Sequence, residues 1–535
     1  MGSAQQKESV ASGIECTGHS GDPSCARVAS TRRLVHALGA LAFAAYLAMA
    51  MLSWVQAPAL WHEAVVPRTK EFFVALAAQI QPVFPFAPAW LVENRLFGGV
   101  EAVIASYWLT LAVATLAAAL LVLSLTRRGE QTDAAMPELL LKWSIAFAGV
   151  CALAFPVFTQ DFWLSVAWGR MIAAGQNPYY STFTPESLAG LPLDHFPMPM
   201  SYGPLWGLVS AAVSFAAGGS VLAAAVVFKV LLAAAWIGSL YLVDRMMISE
   251  PIRERCLAMV ILGWLPCGVS QTVAEGHNDI AMVAFALLWL YLLLKGRIAA
   301  PVALAASVLC KYVTVPLFLV DLIFFFRSGR GPWPRYALRL VAPVLLGLGV
   351  GAVFYRSMAF FDGVRLVGAW RFLQPQDAVR VLELTLGIPS AALGLAVSAV
   401  IPAVAVYQIA VAWSDATRDN MLKSAVAVMS AILFAGVSHV WPWYIVWALA
   451  LAVLVPTWWL SRFVTGIAII APFTVAAWWV EPFAHHREVA ALAMYLGAIA
   501  WAWATRHSVG VALYSAGTAN PPQVSTPSTG AVAGG

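Results

Sequence analysis

Residues Ala102–Leu125 read AVIASYWLTLAVATLAAALLVLSL, twenty-four consecutive residues without a charge, and Arg127 and Arg128 follow after Thr126. About 20 apolar residues in an α-helix cross the roughly 30 Å hydrocarbon core of a bilayer. The run is rich in Ala and Leu and does not alternate. A barrel strand would instead be about ten residues of alternation. Similar runs flank it. Leu34–Val55 follows Arg32 and Arg33, and Trp143–Phe158 precedes Gln160 and Asp161. The whole chain of 535 residues is 61% hydrophobic and 11% charged, with mean hydropathy +0.79. Soluble domains carry roughly 25% charged residues. Surface-to-volume scaling leaves a water-soluble fold no way to hide this much apolar surface. Lipid accepts it, provided that backbone groups are satisfied within helices. The fold class is therefore an all-α polytopic membrane protein.

The positive-inside rule orients the spans. Arg32, Arg33, Arg127 and Arg128 mark one face as cytoplasmic, and the third span delivers Gln160 and Asp161 to the external face. Pro204–Gly218 is short for a crossing and is predicted as an external interfacial helix. Ser220–Val243 then crosses, leaving Arg245, Arg253 and Arg255 inside. Leu257–Val273 brings Glu275–Asp279 outside, and the next span returns to Lys295 and Arg297. Two short pieces, Pro301–Cys310 and Val313–Phe326, flank Lys311 as a broken hairpin ending at Arg327, Arg330 and Arg335. Later spans near 337–355, 386–411, 422–438, 443–460, 464–480 and 487–505 place Arg356–Leu382, Ser438–Tyr444 and Glu481–Glu488 outside. Arg418, Lys423, Arg462 and Arg506 fall inside. This amounts to about 12–14 transmembrane segments with external interfacial helices. Residues 1–32 are predicted as a disordered cytoplasmic tail, 33–506 as the membrane core and 507–535 as a second disordered tail.

Polar clusters gather on the external face: Gln160-Asp161, Gln176-Asn177-Pro178-Tyr179, Ser201 to Trp206, Glu275 to Asp279, and Ser438 to Tyr444. Ionisable groups at helix ends can do acid–base work, and several converging from different spans build a cavity at the membrane surface. The cysteines, Cys16, Cys25, Cys151, Cys256, Cys267 and Cys310, have no zinc or disulfide spacing. No phosphate-binding Gly loop, dinucleotide fingerprint or basic–aromatic nucleic-acid patch is present, so no nucleic-acid partner is expected.

The ordered set resembles the C-type (GT-C) membrane glycosyltransferases, in particular the bacterial mannosyltransferase and arabinofuranosyltransferase branch that uses polyprenyl-phosphate sugars. The features are Gln160-Asp161 at the end of a span, an interfacial segment Phe162–Gly175 running into Gln176-Asn177-Pro178-Tyr179, the Tyr202-Gly203-Pro204-Leu205-Trp206 segment, and Gly276-His277-Asn278-Asp279 and His439 to Tyr444 opening later spans. They cover roughly residues 140 to 460. Two spans precede the acid, a departure from the usual single one.

The resemblance implies transfer of one sugar, a mannose-like or other hexose or a pentose, from a polyprenyl-phosphate donor to a glycolipid or polysaccharide acceptor. It implies a multi-pass protein of the cytoplasmic membrane with its site on the external or periplasmic face. Asp161 would be the general base, with a pKa raised by desolvation. Its other reading is the N-cap of a helix starting at Phe162. Lys229, Lys311, Arg170 and Arg356 are candidate cations for the leaving phosphate. Snorkelling is the other reading for the two lysines, and lipid headgroup contact for the two arginines. Lys311→Met is expected to weaken donor binding and leave the protein folded. Glu275, His277, Asn278 and Asp279 would meet sugar hydroxyls or a metal; capping by Asn278 or Asp279 competes with that. No cofactor or metal ligand is assigned, and a divalent metal is left open. His439 would be a second catalytic acid–base group or a phosphate donor, or else an interfacial histidine beside the Trp441, Trp443 and Tyr444 belt. Asn177, Tyr179, Tyr202, Trp443 and Tyr444 complete the predicted substrate contacts. His485 and His486 are predicted to be solvated. A lipid-linked sugar transporter or flippase shares bundles, broken helices and intramembrane charges, and is the alternative function.

Overall fold

Without water to satisfy the backbone, lipid admits helices and closed barrels only, and the computed structural model is helical. It describes residues 23–63, 100–127, 133–193, 198–329, 331–369, 371–475 and 487–506. Among these residues an isolated bridge between Phe372 and His439 is the β-type pairing seen. The chain is an all-α polytopic membrane protein. The helices Pro23–Glu63 and Val100–Arg127 pack on one another, and each contains a stretch long and apolar enough to cross a membrane. So do Val221–Met246, Trp333–Phe354 and Ala391–Ser414. The last two present Leu338, Leu345, Leu348, Leu395 and Val406 on their surfaces. Apolar surface on this scale marks a face meant for lipid.

Five such helices are described, or six if Ile252–Gly263 and Pro266–Ala274, bent by 49°, form one span. The sequence reading has about twelve, in line with the apolar length of the chain. Part of the difference lies in segments read as spans that form short apolar helices, Asp279–Leu294, Pro442–Ala452 and Trp459–Thr474 among them. Proline and irregular turns break what hydropathy reads as continuous. The helix Met136–Ala152 stops before Pro156, and Arg418–Ala431 passes into a π-turn at Ile432–Gly436. The break at Lys311 is where the sequence puts it. Ala300–Cys310 ends, Lys311 is extended (φ −156°, ψ 125°), and a 3-10 turn Tyr312–Thr314 precedes Leu317–Arg327. Pro204–Ala216 is a single short helix.

Several basic residues that the sequence reading assigns to one face are held by ion pairs or carbonyl contacts. Arg32 pairs with Asp133, and Arg255 holds Asp244 through two bonds of 2.6 and 2.8 Å. Arg418 pairs with Glu250 and donates to the Met246 carbonyl, while Arg327 donates to that of Ser414. The first helix already runs from Pro23, inside the segment read as a tail. Residues 1–22, 507–535, Arg128, Arg330, His485 and His486 lie outside the described residues.

Candidate active site

Two glycines fold the polar clusters together. At Gly203 a Cβ would fall 2.1 Å from the Leu309 carbonyl oxygen, and the Gly203 N–H donates to the Cys310 carbonyl at 2.9 Å. Only a residue without a side chain lets this segment seat on the end of the broken hairpin, and it brings the Tyr202 ring within 5.5 Å of Lys311 Nζ. Gly276 has φ +81°, and a Cβ there would lie 2.4 Å from the Phe162 ring. This left-handed turn ends the π-helical turn Ser270–Ala274 and aims the next residue, His277, at the start of the helix Asp161–Ala173. His277 Nδ1 lies 3.4 Å from Asp161 Oδ2.

A cavity of about 580 Å³ opens here, a size suited to a small organic ligand. Asp161, Tyr202, Lys311, His439, Trp443 and Tyr444 all line it. The His277 ring stacks on Trp443 (centroids 3.8 Å, 12° between planes), and Trp443 stacks on Trp441 (4.9 Å, 5°). His439 shares a hydrogen bond of 3.2 Å between Nε2 and the Tyr444 hydroxyl, and one of 3.0 Å between Nδ1 and the Ser438 hydroxyl. Its strand-like backbone is pinned by Val440 N–H donating to the Phe372 carbonyl at 2.7 Å. Lys311 Nζ donates to Asp279 Oδ1 at 2.7 Å and sits 4.2 Å from the Tyr444 ring centre. Trp447 Nε1 donates to the same carboxylate oxygen at 2.5 Å. Asp279 is fully buried. Lys311→Met would therefore strand an uncompensated carboxylate, which costs several kcal/mol. Beside the expectation that the protein stays folded, this pairing adds an expected loss of stability.

The capping alternatives find no support in the geometry. Gln160 is the N-cap of Asp161–Ala173, and no side-chain cap bond forms there. Asp161 is the first helical residue, and its own N–H donates to Thr159 Oγ1 at 3.0 Å. Its carboxylate is a third exposed. Asn278 occupies the N-cap of Asp279–Leu294, yet its amide makes no cap bond, and both amide atoms are buried without a hydrogen-bond partner among the described residues. The expected rise in the Asp161 pKa is also corrected. Burial pushes it up, but the contact with His277 and the charge of Lys311 outweigh burial and hold the carboxyl below its usual value. Asp161 is ionised at neutral pH.

Of the predicted contacts, Lys229, Glu275, Arg170, Asn177, Tyr179 and Arg356 lie away from this cavity, and His277, Asn278 and Asp279 are buried behind its lining. Lys229 donates to the Val273 carbonyl at 2.8 Å and to that of Ala274. Glu275 Oε2 accepts from the N–H groups of Val157 and Phe158 at 3.0 and 2.9 Å. Arg170 donates to the carbonyls of Ser187, Ala189 and Gly219 and borders a second cavity of about 570 Å³. Asn177 donates to the Phe354 carbonyl at 2.7 Å and accepts from Tyr179 N–H. The Tyr179 hydroxyl donates to the Tyr202 carbonyl at 2.8 Å, so Asn177 and Tyr179 shape the wall behind Tyr202. Arg356 donates to carbonyls of its own helix end and is exposed. Glu275, His277 and Asp279 point to different partners, and among the described residues no group of three His, Cys, Asp or Glu side chains is arranged to hold a metal ion. The sequence reading missed Trp168, Tyr312, Trp447, Val364 and Val367, which line the cavity. Trp447 stands one helical turn past Trp443 and Tyr444, which is the signal that would have found it.

A cavity combining an ionised carboxylate, a buried ammonium, a histidine and stacked aromatic rings suits a polar ligand with flat apolar faces, such as a sugar. Residues 73–325 match the family Alpha-(1->6)-mannopyranosyltransferase, N-terminal domain. The match supports glycosyltransferase activity for this chain, with a sugar donor and an acceptor as its partners. It covers just under half of the sequence. Asp161, Tyr202, His277, Asp279 and Lys311 fall inside it, and His439, Trp443 and Tyr444 fall beyond it. No curated protein and no solved structure matches.

Proposed function

We propose that this chain transfers a single mannose, or a closely related sugar, from a polyprenyl-phosphate donor to a hydroxyl of a glycolipid or polysaccharide on the external face of the cytoplasmic membrane. The observation that carries the reading is the joint lining of one cavity by the Asp161 carboxylate and the Lys311 ammonium. Asp161 takes the proton as the acceptor oxygen bonds to the anomeric carbon. The bond from that carbon to the phosphate oxygen breaks, and the electron pair leaves with the polyprenyl phosphate. Lys311 answers the charge that gathers there. An ammonium has three donors and Asp279 takes one, leaving capacity for a phosphate oxygen. Water exclusion strengthens that attraction. His439 donates to the phosphate or serves as a second acid–base group, and Trp443 and Tyr444 offer faces to the sugar. The name of the matched family describes transfer to a 6-position, so a primary hydroxyl is the acceptor to try first. The sidedness rests on the positive-inside reading of the basic residues flanking the spans.

Turnover of a purified polyprenyl-phosphate mannose and a glycolipid acceptor by detergent-solubilised protein, with no gradient present, tests the reading. Product formation is the expected result. Movement of the lipid-linked sugar across sealed vesicles, with no product in either format, would sink it in favour of a transporter.

A further inference from the structure

Asp161 lines the cavity and the buried His277 backs it, and the two meet from two stretches of irregular backbone, each gripped by one buried side chain. The segment before Asp161 is not helical from about Phe155 to Gln160, so its N–H groups need partners from elsewhere. Glu275 supplies two of them, with one carboxylate oxygen accepting from both Val157 and Phe158, while Phe155 N–H donates to Ser53 Oγ. The segment before His277 ends a π-helical turn, whose last carbonyls have no intrahelical donor. Lys229 supplies that donor to Val273 and Ala274 from the neighbouring helix Val221–Met246. Both side chains are buried, at 5% exposure for Lys229 and 4% for Glu275, and neither lines the cavity. Their partners are backbone groups. Between them the Gly276 turn packs on Phe162, whose ring lies 5.4 Å from Lys229 Nζ.

We infer that Lys229 and Glu275 form a charged brace that positions Asp161 against His277, and that neither binds substrate. Lys229 fixes the backbone leading into His277. Glu275, one residue before Gly276 and two before His277, grips the backbone leading into Asp161. The brace thus sets the distance between the carboxylate and the imidazole from both sides. It acts through Asp161, and so the inference rests on the reading of Asp161 as the base.

The test uses the full-length protein in detergent and the turnover assay above. Glu275→Gln keeps an oxygen for both N–H groups and is expected to retain turnover within about threefold, since one lost charge remains hydrogen-bonded. Glu275→Leu and Lys229→Met remove the grip. They are expected to lower kcat by about tenfold or more with the donor KM unchanged, because misplacement of a reacting group is read in kcat. Two further readouts separate positioning from mere folding. The acidic limb of kcat against pH is expected to move upward, since His277 no longer helps to hold Asp161 ionised. Adding Asp161→Asn to Glu275→Leu is expected to cost no more than Asp161→Asn alone, because both act on one step. Should either single variant fail to fold, the Lys229→Met/Glu275→Leu pair removes both charges together and leaves neither unpaired. Its pH profile then decides. An unmoved acidic limb with additive losses would overturn the brace while leaving the base intact. Near-normal turnover of Asp161→Asn alone would instead overturn the base reading.

Discussion

Replacing Asp161 with Asn changes one atom and removes one charge. The structural cost is small on three counts. The side chain caps no helix, it is a third exposed, and its ion-pair contact with His277 is long at 3.4 Å. A pair of that kind contributes about 1 kcal/mol or less. Thermal unfolding should barely move. Turnover should fall by roughly 10²–10⁴, the usual contribution of a general base, which corresponds to about 3–5 kcal/mol of barrier. Donor affinity should survive, because the proton comes from the acceptor. The pH dependence has a definite sign. Burial raises the Asp161 carboxyl, but His277 and Lys311 pull it below its usual value. The base is thus ionised down to below the ordinary aspartate range. The wild-type acidic limb attributable to Asp161 should lie there. The stability that its ionised form contributes is present above the unfolded value and is lost as pH falls through the depressed folded value. Turnover, donor affinity and melting are measured on one detergent preparation. Near-normal turnover in Asp161→Asn would refute the reasoning, and His439 would become the next base to test.

Lys311→Met should destabilise the protein by about 3–5 kcal/mol, because Asp279 is left charged and buried; thermal unfolding reads this. Lys311→Met/Asp279→Asn should recover most of the stability while donor affinity, measured directly, stays weak; recovered donor affinity would remove Lys311 from the phosphate site. Gly203→Ala should cost about 1–3 kcal/mol or more, since its Cβ meets a backbone carbonyl that has little room to yield; an unchanged melting temperature would show that the hairpin end shifts freely. Single cysteines replacing Asp161, His277 or His439 should label from the external side alone, and cysteines replacing Arg255 or Arg418 from the cytoplasmic side. Labelling of position 277 from the cytoplasm would overturn the sidedness.

Apolar composition and unbroken runs such as Ala102–Leu125 were enough to establish a helical membrane protein, because lipid leaves the backbone almost no other choice. The break at Lys311 was legible for a similar reason: two short apolar pieces around a lysine cannot be one comfortable span. Asp161, Tyr202, Lys311, His439, Trp443 and Tyr444 could be picked as polar or aromatic residues at span ends, and they line one cavity. Spacing along the chain does not say which way a buried side chain turns. Lys229 and Glu275 looked like ligand contacts because intramembrane charges usually bind something, and what they bind is irregular backbone. Hydropathy could not see where Pro156 and Pro266 would end helices early, since a window average is blind to a missing N–H. Nor could any linear reading foresee that His277 and Lys311 would outweigh burial at Asp161. The sign of that carboxyl's shift depends on charges more than a hundred residues away in the chain, and only the packed structure brings them within reach.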